Sequence, residues 1–463
     1  MERKDGYEND VRETNLKTTT PGKPCEHCGT ALPDDAAVCP GCRAVIGYSA
    51  AVARRAGSGM VGLAAHRDAL LQRLYARHSA GVEQWSSRAP AIEMPDFVPD
   101  AEPETAVRWM PIGFVAPGAT ISPLQVSAKL SHQRRPYVSY ALQHCGRGAI
   151  ERLTVQNMGT QASPAATIEV RLVPEGYGEA WVGSLPSLAP AEQWHSANIR
   201  LPLSLERLKA VRETEHAQLQ IRVRNGADEL FAVGTDIAVH AYNEWVGDGN
   251  FLEVTAAFVQ SNDPALATVL QAATPHLEKS VGRRAFNGYQ SGDANYVVAM
   301  LDALHTALSD DLAMSYINPP PSHETTGQKL QLVGETLSSR VGTCFDLAVL
   351  QAALWERVGL SPVIVLVPGH ALLGCWTQPP PELASPVTLL GRNRGQTRQY
   401  IEMMNRGVLL MVNSVEIAQN EALPLACQHA AQILGQTLNG RGRVSLIDVS
   451  AARRTQPPIT PLP

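Results

Sequence analysis

RVGTCFDLAVLQAALWERVGL (Arg340–Leu360) runs directly into SPVIVLVPGHALLGCW (Ser361–Trp376), and these two stretches decide the architecture. Gly342 and Thr343 supply a turn and an N-cap, which places Cys344 in the first turn of a helix. Leu347, Leu350, Leu354 and Val358 then recur at helical spacing, and Gly359 ends the helix. Val363–Val367 is a β-branched run of strand length, and His370 lies at or just beyond its end. A thiol at a helix N-terminus sits at the positive end of the backbone dipole, which favours the attacking thiolate. An imidazole within reach is needed to take the thiol proton and return it to a leaving group, and His370 is the candidate. Trp376 is near enough in sequence to shield such a pair. The next β-run, Val408–Glu416, offers Asn413 or Glu416 to orient the ring. Strand alternation puts those two on opposite faces, so only one of them is expected to serve.

Upstream, Asp263–Leu277 reads as a helix capped by Asn262 or Asp263 with Pro264 in its first turn, and Asn295–Leu308 as another. Asn318–Pro321 (NPPP) breaks the chain before Leu330–Leu337. Between residues 128 and 247 the pattern changes to short β-branched segments separated by Asn, Gly and Pro: Ile150–Val155, Ala166–Val173, Gln218–Val223 and Leu230–Ala238. That punctuation predicts an all-β sandwich, a binding or spacer module with no catalytic cluster of its own. Seven prolines from Pro90 to Pro123 describe a linker. Before it, the Ala/Arg-rich stretch from Gly47 to Arg77, with Leu70, Leu71 and Leu74, reads as a short solvated helix. Residues 1–22 are polar and aperiodic and read as disordered. The expected organisation is therefore a disordered N-terminus (1–22), a cysteine knuckle (23–46), a helical and Pro-rich linker (47–127), the β-sandwich (128–247) and an α+β Cys-His domain (248–463).

The chain has 463 residues, 44% hydrophobic and 18% charged, with a formal net charge of −5. That is a multidomain globular composition, and it argues against a chain dominated by nucleic-acid electrostatics. No apolar leader segment and no span of bilayer length is evident, so a cytoplasmic location is expected. Four of the eight cysteines crowd into one short span as two C-x-x-C units, Cys25/Cys28 and Cys39/Cys42, ten residues apart. Two such turns bring four thiolates together as a tetrahedral site suited to Zn²⁺, with no position left for water, hence structural. Gly29 and Pro40 give this segment the shape of bacterial zinc ribbons, which it resembles. His27 is not expected to be a ligand. The acidic residues Asp34 and Asp35 in its loop favour docking to a protein over contact with nucleic acid.

Gly342–Trp376 as a whole resembles the transglutaminase-like core of the papain-type superfamily. There a Gly-x-Cys turn opens the nucleophile helix, a Gly-(Leu/Ile)-x-Pro turn leads into a strand, and His-Ala begins the imidazole's strand. The likeness extends to the block that precedes the helicase in long bacterial superfamily-I helicase proteins. Shared features are Asn243, Trp245 and Gly247 at the end of the sandwich; Gly288-Tyr289-Gln290; Pro320, Pro321 and Ser322; Gly327-Gln328-Lys329; and a closing stretch from Ile447 to Pro463. The resemblance covers roughly residues 130–463 and implies a cytoplasmic thiol hydrolase, a peptidase or amidase acting on a protein or peptide. In that reading Cys344 is the nucleophile, His370 the general base, and Glu416 or Asn413 the third residue. Glu416 is placed first because it aligns better with the acid of those relatives. The family's usual Asp followed by a small residue or Pro and Thr is missing, since Ile417 and Ala418 follow Glu416. The Cys344 N–H, with Gln328 or Gln290, is the candidate oxyanion donor. Cys145, Cys375 and Cys427 read as packing thiols, and His305, His323 and His429 as structural histidines. No G-x-x-x-x-G-K-[ST] loop occurs, so the helicase half of such relatives is absent. The rival expectation is an inactive scaffold or adaptor that recruits a partner to a nucleic-acid-processing or defence complex.

Overall fold

The computed structural model describes residues 92, 124–130, 136–247, 251–319, 327–383 and 385–463. The expected disordered N-terminus, the four knuckle cysteines, the Leu70–Leu74 helix, the linker prolines, Pro320–Ser322 and His323 lie outside the described residues. The described residues form an α+β protein with several sheets.

The first half is built on β1 (Leu124–Leu130), β2 (Tyr137–Val138), β3 (Ile150–Asn157), β4 (Ala166–Val173), β5 (Trp181–Leu185), β6 (Gln193–Ile199), β7 (Glu215–Asn225), β8 (Asp228–Val239) and β9 (Glu244–Trp245). Strands β1, β3 and β6 make one antiparallel sheet, and a second has the order β2-β8-β7-β4-β5. Alternation fills the space shared by the two sheets: Ala217, Leu219, Ile221 and Val223 of β7 are buried, and so are Val126 of β1 and Leu153 and Val155 of β3. The β7–β8 hairpin closes through Gly226, whose φ of 60° is a conformation that glycine adopts freely. Two short helices interrupt the span read as all-β, α1 (Tyr140–His144) and α2 (Leu205–Ala210). Each has a serine N-cap: Ser139 Oγ accepts from Leu142 N and Ser204 Oγ from Arg207 N.

The second half begins with α3 (Leu266–Val281) and α4 (Ala294–Thr306). The helix expected from Asp263 starts later because Asp263 Oδ1 accepts from Ala265 N, closing a local turn instead. Then follow β10 (Ser315–Tyr316), β11 (Gln328–Lys329), α5 (Val333–Ser339), β12 (Val341–Gly342), α6 (Cys344–Arg357), β13 (Pro362–Val367), β14 (His370–Trp376), β15 (Val387–Leu390), α7 (Arg394–Asn405), β16 (Leu409–Val412), α8 (Leu423–Asn439), β17 (Val444–Asp448) and α9 (Val449–Ala452). The antiparallel sheet β15-β17-β13-β14-β16 is covered on both faces. Ile364, Ala371, Leu373, Cys375 and Val412 face the core that holds α4 and α6. Val363, Val365, Leu372, Trp376 and Met411 face a second core with Tyr400, Ile401 and Met404 of α7 and Leu434 of α8. Double coverage explains why β13 reads as an unbroken apolar run rather than an alternating one. Each fully buried Leu or Ile here contributes about 1.5–3 kcal/mol. Ile92, within the stretch read as linker, packs into the second core and exchanges hydrogen bonds with the Asn405 side chain.

Candidate active site

Helix α6 starts where its local chemistry dictates. Thr343 is extended (φ −75°, ψ 172°), and its Oγ1 accepts from Asp346 N at 3.3 Å while Thr343 N donates to Asp346 Oδ2 at 2.9 Å. This reciprocal box satisfies two donors at the mouth of the helix and makes Cys344 its first residue. Asp346 also accepts from Gln331 N at 2.9 Å, anchoring the approach to the helix. The apolar stripe expected on α6 understates its burial. Every residue from Cys344 to Trp355 is buried, with Ala348, Ala352 and Ala353 allowing close approach of neighbouring elements.

Gly369 (φ 70°) turns the tight connection between β13 and β14, so His370 pairs with Val367 and opens the strand. His370 Nε2 lies 2.9 Å from Asn413 Oδ1. Cys344 and His370 line the same cavity, of about 1160 Å³, together with Gln328, Phe345 and Ala371. Among the described residues no hydrogen bond joins Cys344 Sγ directly to the ring. Burial pushes the Cys344 thiol up, the backbone N–H groups of Ala371 and Phe345 pull it down, and Asp346 adds a smaller upward push. Ser414 Oγ reaches Cys344 O at 3.2 Å and Ala371 O at 3.5 Å, tying the helix mouth to the start of β14. Buried Gln351 completes the tie by donating to Ser414 O at 3.0 Å.

Glu416 does not touch the His370 ring; Asn413 does. The expectation of opposite faces fails because the strand ends at Val412, and Ser414–Gln419 forms a 3-10 turn. Residues three apart eclipse in such a turn, so Glu416 comes back over Asn413, whose Nδ2 donates to Glu416 Oε1 at 2.7 Å. His429, read from sequence as merely structural, approaches the same oxygen at 2.7 Å through Nδ1. Burial raises the Glu416 carboxyl, but the hydrogen bond and charge of His429 and the Asn413 amide outweigh it and leave it below its ordinary value. The Glu416 hydrogen bond raises His429 in turn, against a smaller opposing effect of burial.

Gln328 stands beside the helix mouth, with one of its amide N–H groups given to Thr343 Oγ1 at 3.1 Å. Gln290 is exposed in the turn after Asn287 and does not line the cavity. Its neighbours act at the far end of α6. A Cβ on Gly288 would come within 2.7 Å of Gly359 O, and Tyr289 Oη donates to Trp376 O while accepting from Ser361 N. Trp376 is itself fully buried, with Nε1 on Asp448 Oδ2, six residues along the strand from His370, so it does not shield the pair. Trp245 lines the cavity instead, its ring edge-on to Phe345 at 4.9 Å. It is placed by the ribbon β9–β11, in which Gln328 pairs with Trp245 and Lys329 with Glu244, and by Asn243 Nδ2 donating to Leu330 O.

The first half of the chain also lines the cavity, through Tyr137, Thr214, His216, Asp236 and His240. The span read as a spacer therefore borders the candidate site. Cys145, Cys375 and Cys427 are buried thiols that do not line the cavity, and His305 Nε2 meets Glu421 O at 2.8 Å. The Thr343-x-x-Asp346 spacing was a readable signal for the helix cap; nothing local marks His429 or Ser414. Among the described residues no three His, Cys, Asp or Glu side chains gather as a metal site, and no helix is long and apolar enough to cross a membrane. No family model matches the chain, and no curated protein matches it in sequence.

Proposed function

We propose that the chain is a transglutaminase-like, papain-type thiol hydrolase acting on an amide bond of a protein or peptide. The observation that carries this reading is a cysteine at the first position of a buried helix sharing one cavity with a histidine whose Nε2 lies 2.9 Å from an asparagine side-chain oxygen. Cys344 is the nucleophile and His370 the general base, with Asn413 orienting the ring. His370 Nδ1 takes the thiol proton as the Cys344 sulfur bonds to the acyl carbon. The C–N bond then breaks, and the same proton leaves on the amine. Water hydrolyses the thioester, releasing the acid and returning the thiol. The Cys344 N–H and the amide of Gln328, which line the same cavity, are the candidate donors to the developing oxyanion. By the spacing of their two C-x-x-C units, Cys25, Cys28, Cys39 and Cys42 would hold a structural Zn²⁺; we propose that this segment docks a protein partner and that the protein works in the cytoplasm.

Alkylation of Cys344 by iodoacetamide as a function of pH, followed by peptide mass spectrometry against Cys344→Ala, tests the reading. A hydrolase gives a Cys344 that reacts faster than free cysteine at neutral pH, with the excess lost in His370→Ala. A second reading has its own support: burial raises the thiol, and no hydrogen bond links it to the ring. A non-catalytic scaffold of the same fold gives a Cys344 slower than free cysteine, rising only in the alkaline range with no dependence on His370.

A further inference from the structure

A ring that is to accept a thiol proton on one nitrogen must carry its own proton on the other. For His370 that choice is made at Nε2, 2.9 Å from Asn413 Oδ1. A primary amide can exchange its oxygen and nitrogen by a half-turn, and the two ends dictate opposite tautomers to the ring. Asn413 alone therefore decides nothing. Its other end is 2.7 Å from Glu416 Oε1, on a residue only 5% exposed. An ionised carboxylate accepts and never donates, so it admits only the Nδ2 end. Oδ1 is then turned to the ring, Nε2 must donate, and the lone pair falls on Nδ1. His429 Nδ1 lies 2.7 Å from the same Glu416 oxygen and supplies the countercharge that a buried carboxylate needs. The groups facing Glu416 are thus Asn413 on its own turn, His429 from α8 and, at longer range, His305 from α4.

We infer that Glu416, held by His429, is a positioning residue that sets the tautomer of His370 through the Asn413 amide. The catalytic consequence rests on the Cys344–His370 reading; the tautomer is a property of the unreacted protein and does not.

The experiment is nitrogen-15 NMR of histidine-labelled full-length protein, with the His370 signals assigned by His370→Gln, alongside Cys344 alkylation at neutral pH. The wild-type ring is expected as the Nε2–H tautomer. In Glu416→Gln the new amide can donate, Asn413 can turn over, and the Nδ1–H form gains population. Alkylation then slows by about tenfold or more as the competent fraction falls. The double variant Glu416→Gln/Asn413→Asp swaps carboxylate and amide, returns an acceptor-only group to the ring, and restores both the tautomer and the rate. A wild-type ring protonated at Nδ1 overturns the inference without any variant. So does a folded Glu416→Gln protein with an unchanged tautomer, or a swap that fails to restore it. A tautomer that shifts as described while alkylation stays constant upholds the positioning role and counts against the Cys344–His370 pair.

Discussion

Thr343 makes three hydrogen bonds with one hydroxyl: it caps Asp346 N, donates to Asp346 Oδ2 and accepts from Gln328. Thr343→Val keeps the shape and removes all three bonds, leaving a carboxylate that is 2% exposed with fewer donors. Burial already raises Asp346 despite the Thr343 and Gln331 hydrogen bonds. The expected loss is about 1–2 kcal/mol, the usual cost of a deleted cap. A urea midpoint indistinguishable from wild type would show that the box is dispensable. The fraying should concentrate at the mouth of α6, so Cys344 becomes more accessible to reagents in the same variant.

At the scale of elements, the 3-10 turn and α8 are joined by Glu416 and His429, a partly exposed ion pair. The folded pKa of His429 is raised, so its share of stability is complete below its unfolded value of about 6.5 and is lost as pH rises through the folded value. The folded pKa of Glu416 is lowered, so the same contact is complete above an unfolded value of about 4.3 and is lost as pH falls through the folded one. Both conditions hold together between about pH 4.3 and 6.5. Because His429 is 40% exposed, the contact contributes no more than about 1 kcal/mol. His429→Gln is expected to lower Tm inside that window and to remove the part of the decline above it that belongs to this pair. Parallel Tm curves for the two proteins from pH 5 to 9 would contradict the assignment.

Across the whole molecule, the closing segment laces the two halves together. Arg453 grips Glu356 at the end of α6 with Nε and Nη2, and also donates to Val259 O and Ile459 O. Beyond it, Leu462 N donates to Ala257 O, while Pro461 O meets His144 Nε2 on α1 of the sandwich side. Arg453→Met should free this segment at a cost of about 2 kcal/mol, in the range for hydrogen bonds to a charged group. Amide hydrogen exchange reports it, with the Leu462 and Ile459 N–H groups losing protection in the variant; equal protection in both proteins would refute the lacing. Since the cavity has walls from both halves, loosened docking should also change Cys344 reactivity.

Helix α6 and the strands that flank His370 were legible in the amino-acid sequence because caps, helical spacing and apolar runs are local properties of the backbone. Cys344 and His370 stood out for the same reason. What surrounds them did not. Asn413 and Glu416 looked mutually exclusive only while Val408–Glu416 was read as one strand. The chain leaves the sheet at Asn413, whose N–H bonds to Ala426 O on α8 rather than to a neighbouring strand. His429 on Glu416, Trp245 on Phe345 and the wall contributed by His216 and Asp236 join residues far apart in sequence. Such contacts are chosen by how the elements pack, a competition among buried surfaces and hydrogen-bond partners that no single stretch of sequence records.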